Sequence, residues 1–394
     1  MLSGRQVKQP ATLRALVYSA RFRGIVYQVA VVAGVLALGW YLVHNTLANL
    51  AARGIATGFG FMGQEAGFDI GEGLIAYSAA DTYLRALVVG VLNTLKVAVL
   101  GIALASLLGL VVGIARLSRN WLVARLATFY VETVRNVPLL LQLFVWYGIV
   151  TALPGPRQAL DLGLGVFISN RGLKVPVPEW HDSYWLAMLL LAAAFIGLFV
   201  LRRWAINRLY RTGRPFPWLS VGLAGLVVLP WLGFLLTGTP LVWSIPELKG
   251  FNFQGGADLS PEFAALLAGL TVYTASFIAE IVRSGILAVP HGQTEAALSL
   301  GLSRAKTLRL VVLPQALRVI VPPLTSQYLN LLKNSSLAVA IGYPDLVSVA
   351  NTAINQTGQA VEGVALTMAV FLVISLALSL LMNWYNAKVA LVSR

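Results

Sequence analysis

The chain has 394 residues, of which 58% are hydrophobic and only 11% charged. Soluble domains carry about 25% charged residues, so a water-soluble globule is excluded. The net charge of +14 would suit nucleic acid in a soluble protein, but here its sidedness across a bilayer has to be read first. Disulfides and thiol chemistry are excluded because there is no cysteine. No Gly-Lys pair occurs, so there is no Walker A loop with which to hydrolyse ATP.

Apolar runs long enough to cross a hydrocarbon core of about 30 Å predict an all-α polytopic membrane protein with about eight spans. They cover roughly 25–43, 86–115, 126–152, 184–201, 218–236, 262–289, 319–343 and 364–386. Residues 1–24 precede the first span and carry Arg5, Lys8, Arg14, Arg21 and Arg23 with no acid. No A-x-A site closes that span, so it is an uncleaved anchor rather than a signal peptide. It and the loop after it form a unit over 25–85.

Residues 86–152 hold the second and third spans, joined by a loop with Arg116, Arg119 and Arg125. Lys96, Glu132 and Arg135 lie inside these spans. Glu132 and Arg135 are three apart on one helix, which lets them neutralise each other or form a gate. Pro138 either kinks the third span or exposes a backbone carbonyl to a pathway.

Residues 153–261 look like an insertion of two uncharged spans between Pro/Gly-rich loops, with Arg202, Arg203, Arg208, Arg211 and Arg214 between the two spans. Residues 262–394 hold the last three spans. Glu280 and Arg283 form a second i, i+3 pair. Lys333, Asn334 and Ser335 fall near the middle of the seventh span, where polar groups face a cavity or a neighbouring subunit rather than lipid.

Alternate connections are basic, including Arg304, Lys306, Arg309 and Arg318, while the others hold nearly all the acids. This bias predicts that both termini are cytoplasmic. It also explains the positive charge without nucleic acid.

The cytoplasmic connection over 290–318 is the most specific feature. His291-Gly292-Gln293-Thr294-Glu295-Ala296-Ala297 predicts a helix of about two turns with Thr294 as N-cap and Gly301 as its stop. A helix so short is unstable alone and needs something to dock on.

Glu295-Ala296-Ala297, three residues, Gly301, nine residues, Val311 and then Leu313-Pro314 resemble the EAA motif of bacterial ABC-importer membrane subunits. Val311 stands where Ile is usual. Asn93-Thr94-Leu95, the run from Tyr130 to Phe144, Gly292-Gln293, Leu313-Pro314-Gln315-Ala316 and Lys333-Asn334-Ser335-Ser336 are similar to the polar amino-acid branch, the histidine/glutamine permease family. The likeness covers 86–152 and 262–390, which implies a type I ABC-importer permease core of five helices. The N-terminal helix and the two-helix insertion resemble the larger, Q-type permease subunits of general L-amino-acid importers.

Each marked position has an expected role, the first set from the resemblance and the others from the cost of polar and charged groups inside a bilayer. Gly292, Gln293, Glu295, Ala296, Ala297, Gly301, Leu313 and Pro314 would couple to an ATPase. Asn93, Thr94, Gln142, Lys333, Asn334 and Ser335 would line a translocation pathway, or else bond neighbouring helices. Glu132, Arg135, Glu280 and Arg283 would form gates or structural ion pairs.

Implied partners are a second permease subunit in a heterodimer, two copies of an ATP-binding subunit, a periplasmic amino-acid-binding protein and the lipid bilayer. The chain needs no cofactor, since ATP-Mg sits on the ATPase, and its place is the bacterial inner membrane. An ion-coupled secondary transporter is the alternative, but no repeated halves support it. A membrane-embedded enzyme lacks any catalytic constellation.

Overall fold

The computed structural model describes residues 20–52, 54, 57–179, 181–238 and 242–389. Most of the predicted basic N-terminal segment, and Arg394, lie outside these residues. Among the described residues, seven helices are long and apolar enough to cross a membrane, or up to eight if one sharply bent pair counts as a span.

The first helix, α1 (Ala20–Ala52), has no buried residue among those described. The core begins with α2 (Tyr83–Ala115), whose N-cap Thr82 accepts from the Arg85 N–H at 3.3 Å. Next come α3 (Trp121–Asn136), capped by Asn120, and α4 (Leu139–Thr151). These two make up the predicted third span, but a bend of 108° separates them. Pro138 has no N–H to continue the helix and disfavours helical geometry at Val137, so the break falls there.

The insertion holds α5 (Trp185–Thr212) and α6 (Trp218–Thr237), two helices packed on each other. Gly233 presses against Ala187, where an added Cβ would lie 2.6 Å from the Ala187 Cα. The flanking Pro/Gly-rich loops fold into short antiparallel strands. β1 (Leu160–Asp161), β2 (Phe167–Ser169), β3 (Gly172–Val175) and β8 (Ala257–Leu259) form one sheet in that order. β4 (Val177–Pro178) pairs β5 (Trp243–Ser244), and β6 (Glu247–Lys249) pairs β7 (Asn252–Gln254). Strands of two to four residues are too short to show alternation in sequence. The β3–β8 register, Leu173 opposite Leu259, closes the base of the insertion directly before the next helix.

That helix is α7 (Pro261–Leu287), capped by Ser260 with Pro261 in its first turn. It is the central element: α2 packs along its length, and α4 and the tenth helix flank it. The short α8 (His291–Ser299) follows it. A turn, α9 (Arg304–Thr307), and a π-helical turn at Leu308–Val312 lead into α10 (Leu313–Asn334). Pro322 and Pro323, close to the expected start of this span at 319, lie inside α10, because the helical path already begins at Arg304. A tight 3-10 stretch at Ser335–Ile341, then α11 (Leu346–Thr357) and α12 (Ala360–Val389), are the last described elements.

Candidate functional site

α8 hangs from the C-terminal end of α7 and is exposed except for half-buried Thr294 and buried Ala297. It starts after Pro290, one turn earlier than the sequence suggested, so Thr294 is not its N-cap. Glu295 therefore sits mid-helix, where its carboxylate meets His291 Nδ1 at 3.0 Å. Gly301 does stop the helix. Its φ of +79° lets its own N–H reach Leu298 O at 2.9 Å and the Leu302 N–H reach Ala297 O at 3.2 Å, a Schellman closure. Gln315, after Leu313-Pro314, donates to Gln293 Oε1 at 3.4 Å and ties α8 to the base of α10.

At the opposite end of α7, about 40 Å away for a helix of this length, lies an open cavity of about 390 Å³. Asp69, Glu72, Glu262, Pro344, Ser348 and Thr352 help to line it.

The polar residues predicted for a pathway divide into two groups. Asn93 and Thr94 are fully buried and serve the backbone. The Asn93 amide donates to Glu72 O at 2.8 Å and Pro344 O at 2.9 Å. Thr94 Oγ1 accepts from the Leu346 N–H at 3.1 Å, so both residues pin α2 to the start of α11. Gln142 caps the broken span, donating to Val134 O at 2.8 Å and Val137 O at 2.9 Å. Ser335 is buried against Leu332 O.

Lys333 and Asn334 form the second group. Lys333 is exposed and, among the described residues, its ammonium has no ion-pair or hydrogen-bond partner. Both sit at the C-terminal end of α10 rather than mid-span, because the span starts earlier than predicted.

Of the two predicted ion pairs, one forms. Glu280 accepts from Arg283 at 2.7 Å and also from Arg116 of α2, which makes a three-membered cluster. Glu132 and Arg135 do not pair. The Arg135 guanidinium stacks on the Phe277 ring of α7 at 4.9 Å, and Glu132 stays exposed. Lys96 has a partner that its own helix does not provide: Glu72, from the preceding loop.

The sequence reading also missed a stripe of small residues, Gly101, Ala105, Gly109 and Gly113, one every four positions along α2. Their period is the signal, since it lets two helix backbones approach closely. An added Cβ on Gly113 would lie 2.8 Å from Ala279 O of α7.

Residues 190–391 match the family described as binding-protein-dependent transport system inner membrane component. The chain is 49% identical to the general L-amino acid transport system permease protein AapQ of Rhizobium johnstonii, over 97% of this chain and 96% of that one. It belongs to the amino-acid ABC-transporter permeases. The permease is also 51% identical to a putative amino-acid ABC transporter permease protein of Escherichia coli, YhdX, covering 94% of this chain and 95% of the relative. To the glutamate/glutamine/aspartate/asparagine transport system permease protein BztB of Rhodobacter capsulatus it is 42% identical, over 97% of each chain. It is thus a multi-pass inner-membrane transport subunit.

Proposed function

We propose that this permease carries L-amino acids, general or polar, across the inner membrane in an ATP-driven importer, with α8 as the element that couples it to a separate ATPase subunit. The observation that carries this reading is the geometry of α8. It is a short, exposed helix closed rigidly at Gly301, joined to α7 at Pro290 and tied to α10 through Gln315. A push on its exposed face, which presents Glu295 and Leu298, passes directly into the central helix, whose other end meets the cavity at Glu262.

In this reading both termini are cytoplasmic, and two ATP-binding subunits close under a pair of permeases, this chain and a second, different one. The cavity beside Glu72 and Glu262 faces the periplasm and receives the amino acid from a binding protein. Lys333 and Asn334, uncommitted within the chain, face the pathway or the second permease. Asn93, Thr94, Gln142 and Ser335 hold the pathway's walls in place through backbone bonds. Access alternates as the ATPases close and reopen.

The test is amino-acid uptake and binding-protein-stimulated ATPase activity in proteoliposomes, comparing wild type with Glu295→Lys and Gly301→Asp. Both variants should insert normally and lose stimulation and uptake together. Uptake that continues without ATPase activity and stops when an ion gradient is dissipated would replace this reading with an ion-coupled secondary transporter.

A further inference from the structure

Between α2, α7 and α10 lies a cavity of about 840 Å³, walled by Leu110, Ile278, Ile286, Leu317, Ile320 and Leu324. Its hydroxyl groups are already engaged. Ser106 and Tyr328 bond each other at 2.8 Å, Ser106 also donates to Ile102 O, and Ser118 accepts from the Asn120 N–H at 3.2 Å. Apart from the Ser118 O–H, a hydrated ligand would find no free donor there.

Toward α8 this slot meets a second cavity of about 700 Å³, and Ile286 and Leu308 wall both. The second is polar in a specific way, because Arg119, Arg304 and Thr307 line it. Neither guanidinium has a hydrogen-bond or ion-pair partner among the described residues. The acids nearby are engaged elsewhere, Glu280 with Arg116 and Arg283, and Glu295 with His291. Thr307 is 2% exposed, and its Oγ1 has no hydrogen-bond partner.

An apolar slot that ends at two uncommitted guanidinium groups and a buried, unsatisfied hydroxyl fits a long hydrocarbon chain carrying an anionic head. We propose that it binds an anionic phospholipid from the leaflet on the α8 side. The acyl chain fills the first cavity, and the phosphate lies between Arg119 and Arg304 within reach of the Thr307 hydroxyl. Guanidinium groups favour phosphate because they donate two parallel hydrogen bonds, and basic pockets between membrane helices suit such headgroups. That this is the cytoplasmic leaflet rests on the orientation proposed above; the site itself does not.

His291, Thr294 and Leu298 of α8 wall the second cavity. A bound lipid therefore packs against the side of α8 that carries Leu298, the side proposed above to take the push, and α8 becomes sensitive to membrane charge.

The experiment uses the assembled importer in nanodiscs of phosphatidylethanolamine and phosphatidylglycerol, with the lipids retained after release counted by native mass spectrometry. Wild type should retain phosphatidylglycerol in preference to phosphatidylethanolamine. Arg119→Ala and Arg304→Ala should each weaken that retention roughly fivefold, while Arg202→Ala, in the distant insertion, should leave it unchanged. Ala115→Trp, which fills the apolar slot, should remove the bound lipid; Leu110→Phe does the same with a smaller intrusion. Equal losses from Arg202→Ala, or retention indifferent to Arg119 and Arg304, would overturn the proposal. So would cross-links that place both arginines on the ATPase with the lipid unaffected. Retention is read without ATP hydrolysis, so failure here leaves the importer reading standing.

Discussion

Lys96, well inside α2, is neutralised by Glu72, a carboxylate folded in from the loop that precedes the helix. The second oxygen of Glu72 accepts from the Ser260 N–H at 3.2 Å, and the Lys96 ammonium also lies 4.2 Å from the centroid of the Phe263 ring. One ion pair thus fastens the loop, α2 and the start of α7. Both side chains are largely buried, at 14% and 8% exposure. Removing one partner strands a charge and costs about 3–5 kcal/mol, whereas removing both is far milder. Glu72→Gln should therefore lower the unfolding temperature in detergent more than the double variant Glu72→Gln with Lys96→Met. If the two single effects simply add, the residues are not coupled.

The close contact of α2 with α7 makes a graded prediction. An added Cβ at Gly109 would lie 2.6 Å from Ile278 Cβ, and one at Gly113 would lie 2.8 Å from both Ala279 O and Val282 Cβ. Backbone and branched Cβ atoms cannot step aside. At Gly101 the nearest atoms, at 3.3 Å, belong to the flexible end of Leu331. Gly109→Ala and Gly113→Ala should each destabilise by about 1–3 kcal/mol, while Gly101→Ala should be nearly neutral. Thermal unfolding of the three purified variants separates these outcomes, and equal effects would contradict the packing argument.

These two relationships show what was legible in the sequence. The approximate number of spans followed from the length of the apolar runs, and the stop of α8 from Gly301, because both depend on neighbouring residues only. The Glu280–Arg283 pair was readable for the same reason, whereas its third member, Arg116, comes from another helix. Glu72 could not be assigned to Lys96, since a loop carboxylate gives no sign of which helix it will enter. The β3–β8 pairing likewise joins strands on either side of two whole helices. Glu132 and Arg135 had the right spacing and still part, because the Phe277 ring offers the guanidinium another partner.

The break in the third span depends on Gln142. Pro138 ends α3 and leaves the Val134 and Val137 carbonyls without helical partners, and the Gln142 amide satisfies both. Gln142→Leu strands two acceptors and should cost about 1–3 kcal/mol. Spin labels at Arg125 and Ile149 report the angle across the bend. Their distance distribution should broaden in Gln142→Leu, and an unchanged, narrow distribution would mean that the bend is held elsewhere.

Asp345 predicts a pH dependence that lies outside the spans. It caps α11, with Oδ1 accepting from the Ser348 N–H at 2.9 Å, while Oδ2 is buried without a hydrogen-bond partner. Burial pushes its carboxyl up from 3.8 to about 7. The folded state therefore holds this proton more tightly than the unfolded chain. The stability it contributes is complete below about pH 4, falls as pH rises, and is gone above about pH 7. The slope in that window is at most about 1.4 kcal/mol per pH unit. Asn also makes a good N-cap, so Asp345→Asn should keep α11 while removing this part of the slope. Unfolding temperatures across the window test the assignment: wild type should lose stability toward neutral pH, and Asp345→Asn should lose less. Parallel curves for the two proteins would place the titration on another group.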